Sequence, residues 1–169
     1  MNTKQILEKL PSRAVIILQG VPGAGKSTFV DALADYLGNP VTEDVQVCSA
    51  DHYFVDEKTG DYIFNRHLLG QAHAACFENF QYFVSKKGSK RPLYVVVDNT
   101  NTTEKEIKKY VDEANKHGWD IVTITFNVDA EIAAKRNIHR VPLGKVKEMD
   151  ERIKDCKLPK GTMRLFLEE

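Results

Sequence analysis

The chain has 169 residues, 42% of them hydrophobic, and its 24 Lys/Arg are balanced by 24 Asp/Glu. That size and apolar content suit a single compact domain over residues 1–169, and a net charge of zero argues against a protein that coats nucleic acid non-specifically. No run approaches the roughly 18 apolar residues of a membrane span, and residues 1–4 lead into Glu8 and Lys9 rather than an apolar signal core, so the expected setting is soluble and cytoplasmic, with no membrane partner.

Along the chain, the apolar run from Ala14 to Gln19 reads as a buried strand. It feeds Gly20-Val21-Pro22-Gly23-Ala24-Gly25-Lys26-Ser27-Thr28, after which Val30, Leu33, Ala34 and Leu37 recur at helical spacing until Gly38 and Pro40 stop them. Residues 45–49 predict a short strand ending at Ala50-Asp51-His52-Tyr53, and residues 54–66 an irregular, partly aromatic loop. A long helix follows from His67 to about Lys86, with Leu69, Ala72, Cys76, Phe80 and Phe83 on one face. Residues 93–98 predict a strand buried on both faces. Thr103 and Glu106 have capping-box spacing for a helix that Gly118 ends. Residues 121–128 read as a strand, 130–136 as a helix, Pro142 as the opening of a last helix marked by Val146, Met149 and Ile153, and 164–167 as a final strand. Strands alternating with helices predict an α/β fold: a parallel sheet of four to five strands with helices on both faces.

The glycine-rich segment between strand and helix has the spacing of a P-loop. Its backbone N–H groups can converge on phosphate oxygens, the helix N-terminus adds positive potential, Lys26 reaches the β- and γ-phosphates and the Ser27 hydroxyl coordinates Mg²⁺. The expected ligands are therefore ATP and Mg²⁺. In open parallel sheets ligands bind beyond the carboxyl ends of the strands, which brings Asp51, Asp98, Arg136 and Arg140 towards the same place. Asp51 fits a general base accepting the proton of an attacking hydroxyl, or a cap of the following turn. Asp98 ends its strand as a Walker-B-like acid orienting Mg²⁺ would, or orders the next turn together with Asn99. Arg136 and Arg140 share a face if their helix continues, and would clamp phosphoryl oxygens or stand solvated.

Other features point less directly to chemistry. Cys48, Cys76 and Cys156 follow no metal-like pattern and read as free, buried thiols. Residues 135–164 carry ten Lys/Arg against four Asp/Glu, and a second basic cluster occupies residues 86–91. That cluster is either a solvated loop or a phosphate contact.

Taken together, the glycine-rich segment, Ser49-Ala50-Asp51-His52-Tyr53, Asp98-Asn99-Thr100-Asn101, Gly118-Trp119 and Lys135-Arg136-Asn137-Ile138-His139-Arg140-Val141-Pro142 resemble the phage-type 5′-hydroxyl polynucleotide kinases, in the same order over nearly the whole chain. The resemblance is greatest to a subgroup with an Asp-x-Tyr-Phe segment and a helix like His67-Leu68-Leu69…Ala72-His73. It implies the P-loop kinase fold, with a lid over about residues 136–145. It places ATP and Mg²⁺ on Lys26 and Ser27, activation of a 5′-hydroxyl on Asp51, and a phosphate-holding lid arginine on Arg140, assisted by Arg136. The phage enzymes carry an arginine three residues after the catalytic aspartate, to grip the acceptor's 3′-phosphate; this chain has Phe54. Tyr53, Phe54, Tyr62 and Phe64 suit either stacking on an acceptor base or packing of their loop.

The leading expectation is an ATP-dependent kinase whose acceptor is the 5′-OH end of RNA or DNA. The alternatives are a kinase for a nucleoside, sugar or metabolite, and a nucleotide-binding switch or scaffold that does not transfer. No Asn-Lys-x-Asp guanine-reading segment supports a GTPase. Nothing in the sequence sets the oligomeric state.

Overall fold

The computed structural model describes residues 1–38 and 43–168. Five strands, β1 (Ala14–Gln19), β2 (Val45–Cys48), β3 (Tyr94–Asp98), β4 (Ile121–Asn127) and β5 (Met163–Glu168), form one parallel sheet in the order β2-β3-β1-β4-β5. All six residues of central β1 are buried, which is why that strand reads as an unbroken apolar run.

Alternation along the strands divides the core into two layers. Ala14, Ile16 and Leu18 face one side, together with residues of α1 (Thr3–Lys9), α2 (Lys26–Tyr36), α5 (Ala130–Arg136) and α6 (Leu143–Asp155). Val15 and Ile17 face the other, against α3 (Leu69–Val84) and α4 (Glu104–Lys116). The expected α/β fold, a parallel sheet with helices on both faces, is the architecture observed, with five strands.

Several boundaries have a local cause. Gly38, at φ +70°, ends α2, whereas the Pro40 stop signal lies outside the described residues. Helix α1 is absent from the sequence reading because its apolar pattern is two residues, Ile6 and Leu7; its signal was the capping pair Asn2 and Gln5, which bond each other's backbone N–H. Only half of the expected box at α4 forms. Thr103 accepts from the Glu106 N–H, while the Glu106 carboxylate turns to the Thr102 N–H at 2.7 Å. On α3 the buried face is Ala72, Cys76, Phe80 and Val84, with Val84 rather than Phe83 closing the row and Leu69 exposed. Residues 55–64 are more ordered than an irregular loop: Val55 and Tyr62 form an antiparallel bridge, and the Ile63 N–H bonds the Phe54 carbonyl at 2.8 Å.

Candidate active site

The strand order reverses at β1, where the chain runs out to β2 and β3 on one side and to β4 and β5 on the other. A crevice is expected beyond the carboxyl end of that strand. A cleft of about 540 Å³ lies there, lined by P-loop residues, Asp51, Asp98, Asn99 and Thr100, and by Arg136, Asn137, Ile138 and His139.

Residues 20–28 divide by role. Pro22, Gly23, Gly25, Lys26, Ser27 and Thr28 line the cleft, whereas Val21 and Ala24 are buried in the core and Gly20 packs against Phe126. Gly23 and Gly25 adopt φ of +83° and +94°, conformations that cost a residue with a Cβ roughly 1–2 kcal/mol. The Lys26 ammonium donates to the carbonyls of Gly20 and Val21, each at 2.9 Å. Burial lowers its pKa from the ordinary lysine range, opposed by the negative charges of Asp98 and Asp51. Burial likewise raises the Asp98 carboxyl, with Lys26 opposing and Asp51 adding to the rise. Lys26 and Arg136 thus share a partly desolvated cleft with two carboxylates, Asp51 and Asp98.

Asp51 is presented by a 3₁₀ turn, Ala50–Phe54, that Ser49 caps by accepting the Asp51 N–H at 3.2 Å. The cap is Ser49, which leaves the Asp51 carboxylate free to face the cleft. Tyr62 donates to it at 3.1 Å and His139 Nε2 stands 3.7 Å away. Neither residue was singled out as touching Asp51 from sequence, because the contacts join segments far apart in the chain.

The segment after β3 splits in the same way. Asp98 lines the cleft, while Asn99 accepts the Ala50 N–H at 2.9 Å and donates to Cys76 Sγ, locking the turn that carries Asp51 onto the end of β3. Asn101 and Gln19 bond each other's neighbourhood reciprocally: Asn101 Nδ2 to the Leu18 carbonyl at 2.7 Å, Gln19 Nε2 to the Asn101 carbonyl at 3.0 Å. Asn99 and Asn101 order the segment, and Asp98 brings a carboxylate to the cleft that Asn99 and Thr100 also line. Ser27 and Asp98 together offer hard oxygen donors on one cleft, a set that suits Mg²⁺ held by one carboxylate, one hydroxyl and phosphate oxygens, and a divalent ion there would offset the cost of burying Asp98.

The two arginines are separated. Helix α5 ends at Arg136, so the shared helical face expected of Arg136 and Arg140 does not form. Arg136 lines the cleft; Arg140 does not, and it sits at φ +55° in a loop closed by Asn137, whose side chain bonds the Ala134 and Val141 carbonyls and the Val141 N–H. The loop displaces Arg140 because Asn137 caps the helix instead of extending it.

Phe54, at the position of the phage enzymes' arginine, is a packing residue. It is 5% exposed and meets Tyr53, Tyr62 and Phe64 edge-on, whereas those three rings are themselves exposed. The basic cluster at 86–91 lies before β3 begins, at the amino edge of the sheet and away from the cleft, with Lys86 over the Tyr82 ring and Arg91 over Trp119. None of its residues lines the cleft. Some of the cations after residue 134 stand in ion pairs, Lys145 with Glu148, Lys147 with Glu131 and Lys154 with Asp150. Cys48, Cys76 and Cys156 are free and buried, as expected.

Residues 15–155, from β1 to the end of α6, match the AAA domain family. The chain belongs to that family. Human NEDD4-binding protein 2 is 29% identical over 141 residues, which cover 81% of this chain and 7% of that protein. Rat YLP motif-containing protein 1 matches 94% of this chain with 12% of its own length, so the chain spans a small fraction of the relatives it matches. Among solved structures, a gluconokinase from Sinorhizobium meliloti 1021 superposes with a TM-score of 0.54 at 18% identity, over 94% of this chain and 85% of that one. Kti12 from Chaetomium thermophilum, solved with ADP-AlF3, gives 0.58 at 16% identity, over 90% and 88%. The chain thus has the P-loop kinase fold. No helix among the described residues is long and apolar enough to cross a membrane.

Proposed function

We propose that this domain is an ATP-dependent phosphotransferase that moves a γ-phosphoryl group to a hydroxyl, and that its acceptor is the 5′-OH end of a polynucleotide. The observation that carries the reading is the presence of Asp51 in the same cleft as Lys26 and Asp98. Binding a nucleotide needs the P-loop alone; a carboxylate on the acceptor side is what a transfer reaction adds.

In this reading the triphosphate lies along the P-loop N–H groups, and Lys26 exchanges its two loop carbonyls for β- and γ-oxygens. Arg136 supplies a second cation to the charge that spreads over the transferring oxygens. Mg²⁺, held by Ser27 and Asp98, supplies further neutralisation of phosphate charge when bound. Asp51 accepts the proton of the hydroxyl as it attacks, and no covalent enzyme intermediate is needed. The resemblance to 5′-hydroxyl kinases favours a polynucleotide end, and the exposed rings of Tyr53, Tyr62 and Phe64, grouped around Phe54 at the end of the turn that carries Asp51, offer planar surfaces for its terminal base.

The test is transfer of labelled γ-phosphate from ATP to 5′-OH RNA and DNA oligonucleotides, alongside a panel of nucleosides, sugars and small hydroxylated metabolites. Labelling of the oligonucleotides is expected. Labelling of a small molecule alone would move the acceptor to the metabolite class. ATP binding with no labelled acceptor in any class would leave a nucleotide-binding module and refute the phosphotransferase reading.

A further inference from the structure

We infer that Tyr62 and His139 are positioning residues that grip the Asp51 carboxylate from two separate loops, so that seating the lid segment and orienting the base are one event. The inference rests on the reading of Asp51 as the base. The Asp51 side chain is 54% exposed and stands on a short turn, and an exposed carboxylate without fixed partners samples several rotamers. Here each oxygen has a neighbour. The Tyr62 hydroxyl donates to Oδ1 at 3.1 Å, and His139 Nε2 lies 3.7 Å from Oδ2, an ion-pair distance when the imidazole is protonated. Burial and the negative charge of Asp51 push the Tyr62 phenol up to about 12, so it remains a donor throughout the neutral range.

Both partners are held in place by their own loops. Tyr62 is fixed by its bridge to Val55 and by edge contact with the buried Phe54 ring, centroids 6.2 Å apart. His139 is carried in the loop that the Asn137 side chain closes onto Ala134 and Val141. The two rings then meet, centroids 4.5 Å apart and tilted by 41°. The end of α5 and the start of that loop also meet the P-loop, since a methyl on Gly23 would collide with the backbone of Ala133 and Asn137. One short segment, 133–139, therefore touches the phosphate-binding loop at one end and the base at the other. A base held to a fraction of an ångström only when that segment is seated is aligned when the phosphate side is also closed.

Two measurements test this. The first needs no catalysis. Trypsin cleavage after Arg136 and Arg140 in the nucleotide-free protein is expected to be several-fold faster in His139→Ala and in Asp51→Ala than in wild type, with cleavage among Lys86, Lys87 and Lys90 at the opposite edge unchanged as a control for global unfolding. Unchanged cleavage after Arg136 and Arg140 overturns the latch. The second is a double-mutant cycle in single-turnover transfer. His139→Ala and Tyr62→Phe are expected to slow transfer by roughly 10–100-fold with ATP affinity kept, His139→Gln to lose less than His139→Ala, and both losses to shrink to within about threefold in an Asp51→Asn background. Equal losses in the two backgrounds would mean that neither residue acts through Asp51. If wild type transfers to no acceptor, the functional reading fails by that result, and the cleavage measurement still decides the latch by itself.

Discussion

Gly23 of the P-loop lies backbone to backbone against Ala133 of α5, so closely that a methyl group built on Gly23 would overlap the Ala133 carbonyl and come within 2.9 Å of the Asn137 nitrogen. This contact sets how near the end of α5 and the loop after it stand to the phosphate-binding loop. Gly23→Ala therefore carries both a left-handed φ and a collision with backbone, whereas Gly60→Ala, at φ +73° with open space around it, carries the φ alone. Thermal or denaturant unfolding is expected to show a loss of about 1–2 kcal/mol for Gly60→Ala and a larger one for Gly23→Ala, with ATP affinity falling only in the latter. Equal losses in the two variants would show that the contact is not tight.

Lys26→Ala removes the cation held against the P-loop carbonyls of Gly20 and Val21, and transfer is expected to fall by at least about 10²–10³-fold. Asp51→Asn keeps the shape and the Tyr62 contact while removing the base, so transfer should fall by roughly 10²–10⁴-fold with nucleotide affinity nearly unchanged. Isothermal titration with ATP beside single-turnover transfer separates the two. A parallel loss of ATP affinity in Asp51→Asn would make that residue a ligand-binding or structural group instead of a base.

The separation of the two arginines has its own consequence. Arg136→Ala, which removes a cleft residue, is expected to reduce transfer by about 10²-fold, and Arg136→Lys to recover part of it because the charge returns without the planar fork. Arg140→Ala is expected to stay within about threefold of wild type, and Arg140→Gly to be more stable by up to about 1–2 kcal/mol because glycine carries no penalty at φ +55°. Loss of transfer in Arg140→Ala comparable to that in Arg136→Ala would restore Arg140 to the site.

Asp98 makes the stability of the nucleotide-free protein depend on pH. Burial raises its carboxyl pKa above the ordinary value of 3.8. The folded chain then holds this proton after the unfolded chain has lost it, so the contribution to stability is greatest in acid and declines as pH rises from the ordinary carboxylate range through the raised value. Relative to Asp98→Asn, wild type is expected to lose stability over that window and to level off above it, with Mg²⁺ and ATP recovering part of the difference in wild type only. A stability difference that does not change with pH would show that Asp98 is not held against its charge.

Apart from α1 and the Val55–Tyr62 bridge, the sequence alone determined the helices, the strands and the phosphate-binding loop, because these depend on neighbours in the chain. Apolar runs mark β1 and β3, helical spacing marks α2, capping-box spacing marks the start of α4, and the glycine spacing marks a loop whose backbone N–H groups can converge on phosphate. Asp51 and Asp98 were also legible, since the rule that ligands lie beyond strand ends needs only the strand boundaries. What only the tertiary structure decided were the relations between segments. Whether α5 runs on to Arg140 depended on Asn137 folding its amide back onto Ala134 and Val141. Whether the cluster at 86–91 reaches the cleft depended on which edge of the sheet α3 returns to. Asp51 acquired Tyr62 and His139 as neighbours because loops 11 and 88 residues further along the chain are packed to the same point, and no periodicity or spacing records a contact made across that distance.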